Sequence, residues 1–177
     1  MSFFRKQSVA WVITILMILF AVGFGLVKAH FTAQPEQPPS SYSDGSGSWY
    51  VYDDANVLSD NTERALRERN HQLYQGMDVV IACVTTNYGR DDLGSFAMDY
   101  AETIGLGSYD FIVVLDISGE NYWLTQGSGL VELFSDDDCQ AYAWNYMEDA
   151  FARGDYDSAL LDLTQQLANW YADHYLT

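Results

Sequence analysis

Carboxylates placed where the chain turns are the side chains whose type and spacing suggest chemistry. Asp53-Asp54 stand just before a helical pattern, Asp91-Asp92 follow one apolar strand pattern, Asp116 ends the next, and Asp136-Asp137-Asp138 open a helix. In open α/β sheets, ligand sites collect beyond the carboxyl ends of strands, where loops from separate strands converge. Oxygen-only ligands select a hard cation, so a calcium or magnesium site drawn from these groups is expected. Each group also has a structural reading: helix-dipole partner for Asp136 to Asp138, loop or N-cap residue for Asp91-Asp92, first turn residue for Asp116. Nothing supports nitrogen or sulfur ligation, because His30, His71 and His174 are scattered and neither Cys83 nor Cys139 has a second ligand near it in sequence. No Ser-His-Asp or Cys-His arrangement and no phosphate-cradling glycine loop is present, so no catalytic residue is assigned.

The elements that must position these carboxylates follow from periodicity. Asp60 to Tyr74 opens on Asp60-x-x-Glu63, the spacing of a capping box, and carries Ala65, Leu66, Arg69 and Leu73 on one face, which predicts a helix. Met77 to Thr85 is short, β-branched and apolar, and predicts a buried strand. Beyond the turn at Asn87-Tyr88-Gly89-Arg90, Phe96, Ala97, Tyr100, Ala101 and Ile104 recur at helical spacing until Gly105 and Gly107. Phe111 to Leu115 predicts a second buried strand, and Asn121 to Gln126 its return arm across Ser118-Gly119-Glu120. Ser135 caps a helix whose stripe is Cys139, Tyr142, Ala143, Tyr146, Met147, Ala150 and Phe151, ended by Gly154. A last helix starts at Asp155 and repeats Tyr156, Ala159, Leu160, Leu163, Leu167, Trp170 and Tyr171. This alternation predicts one α/β domain over residues 49–177, a three-layer α/β/α sandwich with a mixed sheet.

What precedes the domain reads differently. Val9 to Val27 holds no ionisable residue and is long enough to cross a hydrocarbon core of about 30 Å at about 1.5 Å per residue. Residues 9–28 are therefore expected to be a transmembrane signal-anchor helix. Arg5 and Lys6 keep residues 1–8 in the cytoplasm, which makes the protein a single-pass cell-membrane protein with its C-terminal domain extracytoplasmic. The competing reading, a cleaved signal peptide, calls for a shorter apolar region and a small-x-small site, which Leu26-Val27-Lys28-Ala29-His30 does not supply. Residues 29–48 contain Pro35, Pro38 and Pro39 and then a Ser/Gly-rich stretch, the composition of a tether. The chain carries 8 Lys+Arg against 25 Asp+Glu, a formal net charge of −17. Such a surface repels nucleic acid and anionic lipid and suits divalent cations. Cys83 falls in a strand pattern and Cys139 on a helical stripe, which favours two buried thiols over a bridge.

With the elements placed, the region from about Tyr50 to Tyr171 resembles the TPM domain family. The matching residues are Val51-x-Asp53-x-Ala55-x-x-Leu58-Ser59, Gly105-Leu106-Gly107, Gly127-x-Gly129-Leu130 and Phe151-x-x-Gly154-Asp155-Tyr156. The resemblance implies an α/β/α sandwich found in exported, membrane-anchored bacterial proteins and in thylakoid-lumen proteins of photosystem II repair. In some members it implies an acidic site that binds divalent metal and is associated with acid phosphatase activity. It puts Asp53, rather than Asp54, at the family's acidic position, and places a second aspartate in the Asp136 to Asp138 run, with Asp136 or Asp137 the better candidates; with Asp116 from the strand end, these are the expected metal ligands. Where many members have an Asn-Asn-Gly turn, this chain has Ser108-Tyr109-Asp110. Asp116-Ile117-Ser118-Gly119 also resembles the metal-adhesion motif of von Willebrand A-type domains, but Glu120 stands where that motif has a second serine.

Two functions are then in view. The preferred one is a membrane-anchored extracytoplasmic module that binds or assists assembly of another envelope protein, with a divalent cation as structural or regulatory ligand. Trp49, Tyr50 and Tyr52 are its candidate contact residues, although they equally fit an edge strand covering the core. The alternative is a metal-dependent acid phosphatase-like hydrolase, for which the sequence offers no evident base and only Arg90 as a loop cation for phosphate. A tether of about 20 residues reaches roughly 25 Å and confines the domain to its own membrane, which favours a membrane-protein partner over a small-molecule substrate.

Overall fold

The computed structural model describes residues 48–175 except Arg90. The expected anchor and all but the last residue of the expected tether lie outside the described residues. Among the described residues no helix is long and apolar enough to cross a membrane.

Four strands form one sheet in the order β1 (Val51–Asp53), β2 (Ile81–Thr86), β3 (Phe111–Asp116), β4 (Asn121–Gln126). The first three are parallel and β4 returns antiparallel to β3, so the sheet is mixed. Its helices are α1 (Asp60–Met77), α2 (Leu93–Thr103), α3 (Asp136–Tyr146), α4 (Glu148–Ala152) and α5 (Tyr156–Tyr175). Strands β2 and β3 are apolar at odd and even positions alike because both faces of the sheet are covered. Cys83, Val113 and Leu115 pack with Leu66 of α1 and Leu160, Leu163 and Leu167 of α5. On the other face Ala82, Val84, Ile112 and Val114 pack with Leu93 and Ala97 of α2. The α/β fold with a mixed sheet is thus as the alternation of patterns predicted.

Local chemistry shifts several boundaries. The N-cap of α1 is Ser59, whose Oγ accepts from the Thr62 N–H at 3.3 Å, and Asp60 is the first helical residue. The helix runs on to Met77, where Asp78 turns left-handed (φ 57°) and donates its N–H to the Tyr74 carbonyl at 2.9 Å. Met77 to Val80 therefore do not belong to the second strand, whose ladder starts where Ile81 meets Phe111. Composition alone hides this limit, since Val79 and Val80 are as buried as the strand itself. The helix predicted from Ser135 to Phe151 is broken at Met147 (φ −129°) into α3 and α4. Met147 still donates to Ala143 and accepts from Phe151, so the apolar stripe continues across the break.

Two polar devices fix the layers. Asn70, buried in α1, donates to the carbonyls of Trp49 (2.8 Å) and Ile81 (2.9 Å) and accepts from the Ile81 N–H (2.9 Å), tying the helix to the starts of β1 and β2. It thereby holds Trp49 and Tyr50, both at positive φ (40° and 62°), a region that L-residues with large side chains seldom occupy. At the other end, Gly127 donates to the Asp110 carbonyl at 2.8 Å and Gly129 to that of Ser108 at 2.7 Å. A Cβ on Gly127 would lie 2.5 Å from the Ser108 carbonyl, and one on Gly129 would lie 2.8 Å from the Tyr109 ring. Both glycines are required by this close approach of the 107–110 loop.

Candidate functional site

Asp53 ends β1 at the carboxyl edge of the parallel strands, but its oxygens are already engaged. They accept from the N–H groups of Val57 (3.1 Å) and Leu58 (3.0 Å) and from the Thr85 hydroxyl, and so fold the chain from β1 into α1. Asp116 ends β3, is fully buried, and accepts from Gly89 N–H (2.7 Å), Gly119 N–H (3.2 Å) and Ser118 Oγ (3.3 Å). It closes the hairpin and pins the loop after β2. Register puts Asp53 opposite Thr85 and in the row of Leu115, whereas Asp116 is in the row of Thr86. Successive side chains alternate across a sheet, so these two carboxylates face opposite sides.

Asp136 and Asp137 are exposed in the first turn of α3. Asp136 accepts from Gln126 Nε2 at 2.9 Å, and Gln126 pairs with Phe111, the first residue of β3, while Asp116 is the last. Five residue steps at roughly 3.3 Å each put Asp136 about 16 Å along the strand from Asp116. The antiparallel course of β4 carries the chain back to the opposite edge of the sheet, so these aspartates are not brought together around one ion. Among the described residues no three His, Cys, Asp or Glu side chains gather closely enough to hold a metal. The residues present therefore do not fit a shared divalent site of Asp53, Asp116 and the Asp136–Asp138 run.

Other candidate groups have structural partners too. Asp92 caps α2, accepting from Ser95 N–H at 3.0 Å and Ser95 Oγ at 2.8 Å, which lowers its pKa. Asp138 forms a reciprocal capping box with Ser135, whose hydroxyl and N–H hold its carboxyl low. Cys83 and Cys139 are free and buried. Burial pushes each thiol up to about 12, so neither is a nucleophile at neutral pH. Of the expected contact aromatics, Tyr50 is buried. Tyr52 stands edge-on to Tyr100 at 5.6 Å, and Trp49 lies 4.7 Å from the His71 ring. These three cover the core at the start of β1.

Four of the six large apolar side chains exposed among the described residues, Met98, Trp123, Val131 and Trp144, gather around β4. Met98 of α2, Trp123 of β4 and Trp144 of α3 are 67%, 41% and 66% exposed, and all three line one groove of about 950 Å³. Trp123 is braced by α2, since a Cβ on Gly94 would sit 3.2 Å from its ring. Sequence reading passed over this cluster because its members are far apart in the chain. One signal was available: Trp144 falls off the apolar stripe of its helix, an unusual place for tryptophan unless something covers it.

A family model for the TPM domain matches residues 51–169. Among solved structures, the chain is similar to the N-terminal domain of a P. gingivalis protein, at 18% identity and TM-score 0.63 over 74% of this chain and 87% of that one. It is similar to a protein of the psychrophilic bacterium Bizionia argentinensis at 15% identity and TM-score 0.56, over 66% and 82% of the two chains. The N-terminal domain of a Corynebacterium glutamicum protein gives 15% identity and TM-score 0.53 over 68% and 78%. At these identities the likeness carries the fold alone. No curated protein matches the chain.

Proposed function

The chain belongs to the TPM domain family, and from that premise we propose that its domain is a protein-binding module, held at the outer face of a membrane by residues 9–28, that engages another envelope protein. The observation that carries this reading is the clustering around one groove of Met98, Trp123, Val131 and Trp144, four of the six large apolar side chains exposed among the described residues, Leu133 and Tyr146 being the other two. Gathered exposed aromatics and methionine are the composition of an interface core, and leaving them in water is unfavourable. The engagement of Asp53 and Asp116 by backbone donors supports a structural role for the very carboxylates that a hydrolase would need free.

The test uses the full-length chain in its native membrane with a photo-crosslinker at position 144 and, as control, at the exposed Asn169 of α5. Position 144 should yield a crosslink to a discrete envelope protein that unlabelled chain competes away, and position 169 should not. Equal crosslinking from both positions overturns the reading. The same solubilised samples are given a chromogenic phosphate ester with calcium or magnesium. Turnover that disappears in Asp53→Asn would replace the binding module with a metal-dependent hydrolase.

A further inference from the structure

The two edges of the sheet are unlike. β1 is three residues long and ends on Asp53, with Asp54 just beyond, and short strands and charges are the usual guards against unwanted pairing. β4 has six residues, Asn-Tyr-Trp-Leu-Thr-Gln, with no charge and no proline. The Gly127 N–H donates to the Asp110 carbonyl at 2.8 Å, which sets the phase of the antiparallel ladder. By its alternation Trp123 and Thr125 bond to β3, while Leu124 and Gln126 turn their backbone N–H and C=O to the open edge. Successive residues 122–126 all line the groove, so it takes in side chains of both faces and runs along the edge itself. Met98 flanks it from α2 and Trp144 from α3.

Charge identifies what fits there. The basic residues from position 48 onward are Arg64, Arg67, Arg69, Arg90 and Arg153, none of them in β4, α2, α3 or the segment 127–135. Those elements carry Asp99, Glu102, Glu132 and Asp136 to Asp138 instead, and of these Asp136 lines the groove itself. Resting on the binding-module reading, we infer that the open edge of β4 takes an extended segment of the partner protein as an added strand, apolar and β-branched in its middle and flanked by Lys or Arg. Main-chain hydrogen bonds to Leu124 and Gln126 supply the register, the apolar walls receive side chains from both faces of the guest, and the acidic surroundings select basic flanks. A second copy of this chain is a poor guest, because two chains of net charge −17 repel one another.

The probe is a synthetic nonapeptide of alternating valine and threonine with a lysine at each end, added to the full-length chain in detergent. Amide hydrogen exchange at Leu124 and Gln126 should slow by at least about tenfold on binding. Exchanging the lysines for glutamates, or N-methylating alternate peptide nitrogens, should weaken binding by about tenfold or more. Trp144→Ala should weaken it with the melting temperature unchanged. The inference is overturned if those two amides are not protected, if the N-methylated peptide binds as well as its parent, or if the chain alone forms a concentration-dependent dimer that protects them. A crosslink from position 144 that persists while the amides stay unprotected would sink strand addition and leave the binding module standing; loss of that crosslink would sink the module itself.

Discussion

Asp116 shows how one residue type serves two readings. In sequence it is an aspartate at the end of an apolar strand, followed by serine and glycine, the setting in which a ligand-binding carboxylate is sought. In the fold it is fully buried and accepts from Gly89, Ser118 and Gly119. Its truncation separates the readings by sign. Asp116→Ala removes a buried carboxylate that accepts from the Gly89 and Gly119 N–H groups and is expected to cost about 1–3 kcal/mol, read as a lower urea midpoint. A carboxylate kept for a ligand at the expense of stability would give no change or a gain. The Ser118 and Gly119 donors belong to the local turn expected there, but neither the burial nor the Gly89 donor could be read from the sequence, because Gly89 lies 27 residues away. The local half of the site was legible: Ser135, expected as a cap, accepts from Asp138 N–H at 3.3 Å, a contact between residues three apart.

Among the elements, those defined by local contrast were readable and those defined by long-range pairing were not. β4 lies where the hairpin pattern put it, between a turn at Ser118-Gly119-Glu120 and Gly127. The start of β2 was misplaced because Val79 and Val80 are apolar whether or not they pair. The break at Met147 leaves no mark, since its stripe continues unbroken. The glycines after β4 were visible as a motif without a visible reason, which the fold supplies: the 107–110 loop lies directly on them. Gly127→Ala drives a methyl group into the Ser108 carbonyl at 2.5 Å, backbone that cannot swing aside. An overpacking cost of about 1–3 kcal/mol is expected, measurable by chemical denaturation. Gly76, where a Cβ would meet nothing within 4 Å, is the matched control. Gly76→Ala sits inside α1 and should gain about 0.5–1 kcal/mol from helix propensity.

For the whole molecule, charge sets the conditions under which the fold is most stable. Self-repulsion at a net charge of −17 opposes the compact state and is relieved as carboxylates take up protons. Asp110 adds to this. Its carboxyl is pushed up to about 6 by burial, against the N–H bonds from Val80 and Gly107 that favour the anion. With the folded value above the unfolded one, the folded state binds the extra proton, so this contribution is complete below about pH 4 and is lost as pH rises through about 6. Asp92, Asp138 and Asp155 act in the opposite sense. Hydrogen bonds hold them low, so their contribution is present above the unfolded carboxylate range and is lost only as pH falls below it. The two trends place the stability maximum between about pH 4 and 6 rather than at neutrality. Thermal unfolding of the full-length chain across that range should show it. In Asp110→Asn the fall in stability towards pH 7 should be shallower, because only the charge repulsion remains to drive it. At pH 7, raising sodium chloride from about 10 to 150 mM should recover part of the loss by shortening the Debye length from about 30 to 8 Å. Calcium at matched ionic strength should recover no more than sodium does if the carboxylates act as a diffuse field. A larger calcium effect that vanishes in Asp136→Asn or Asp137→Asn would locate a specific site in the first turn of α3 and restore the cation to the mechanism.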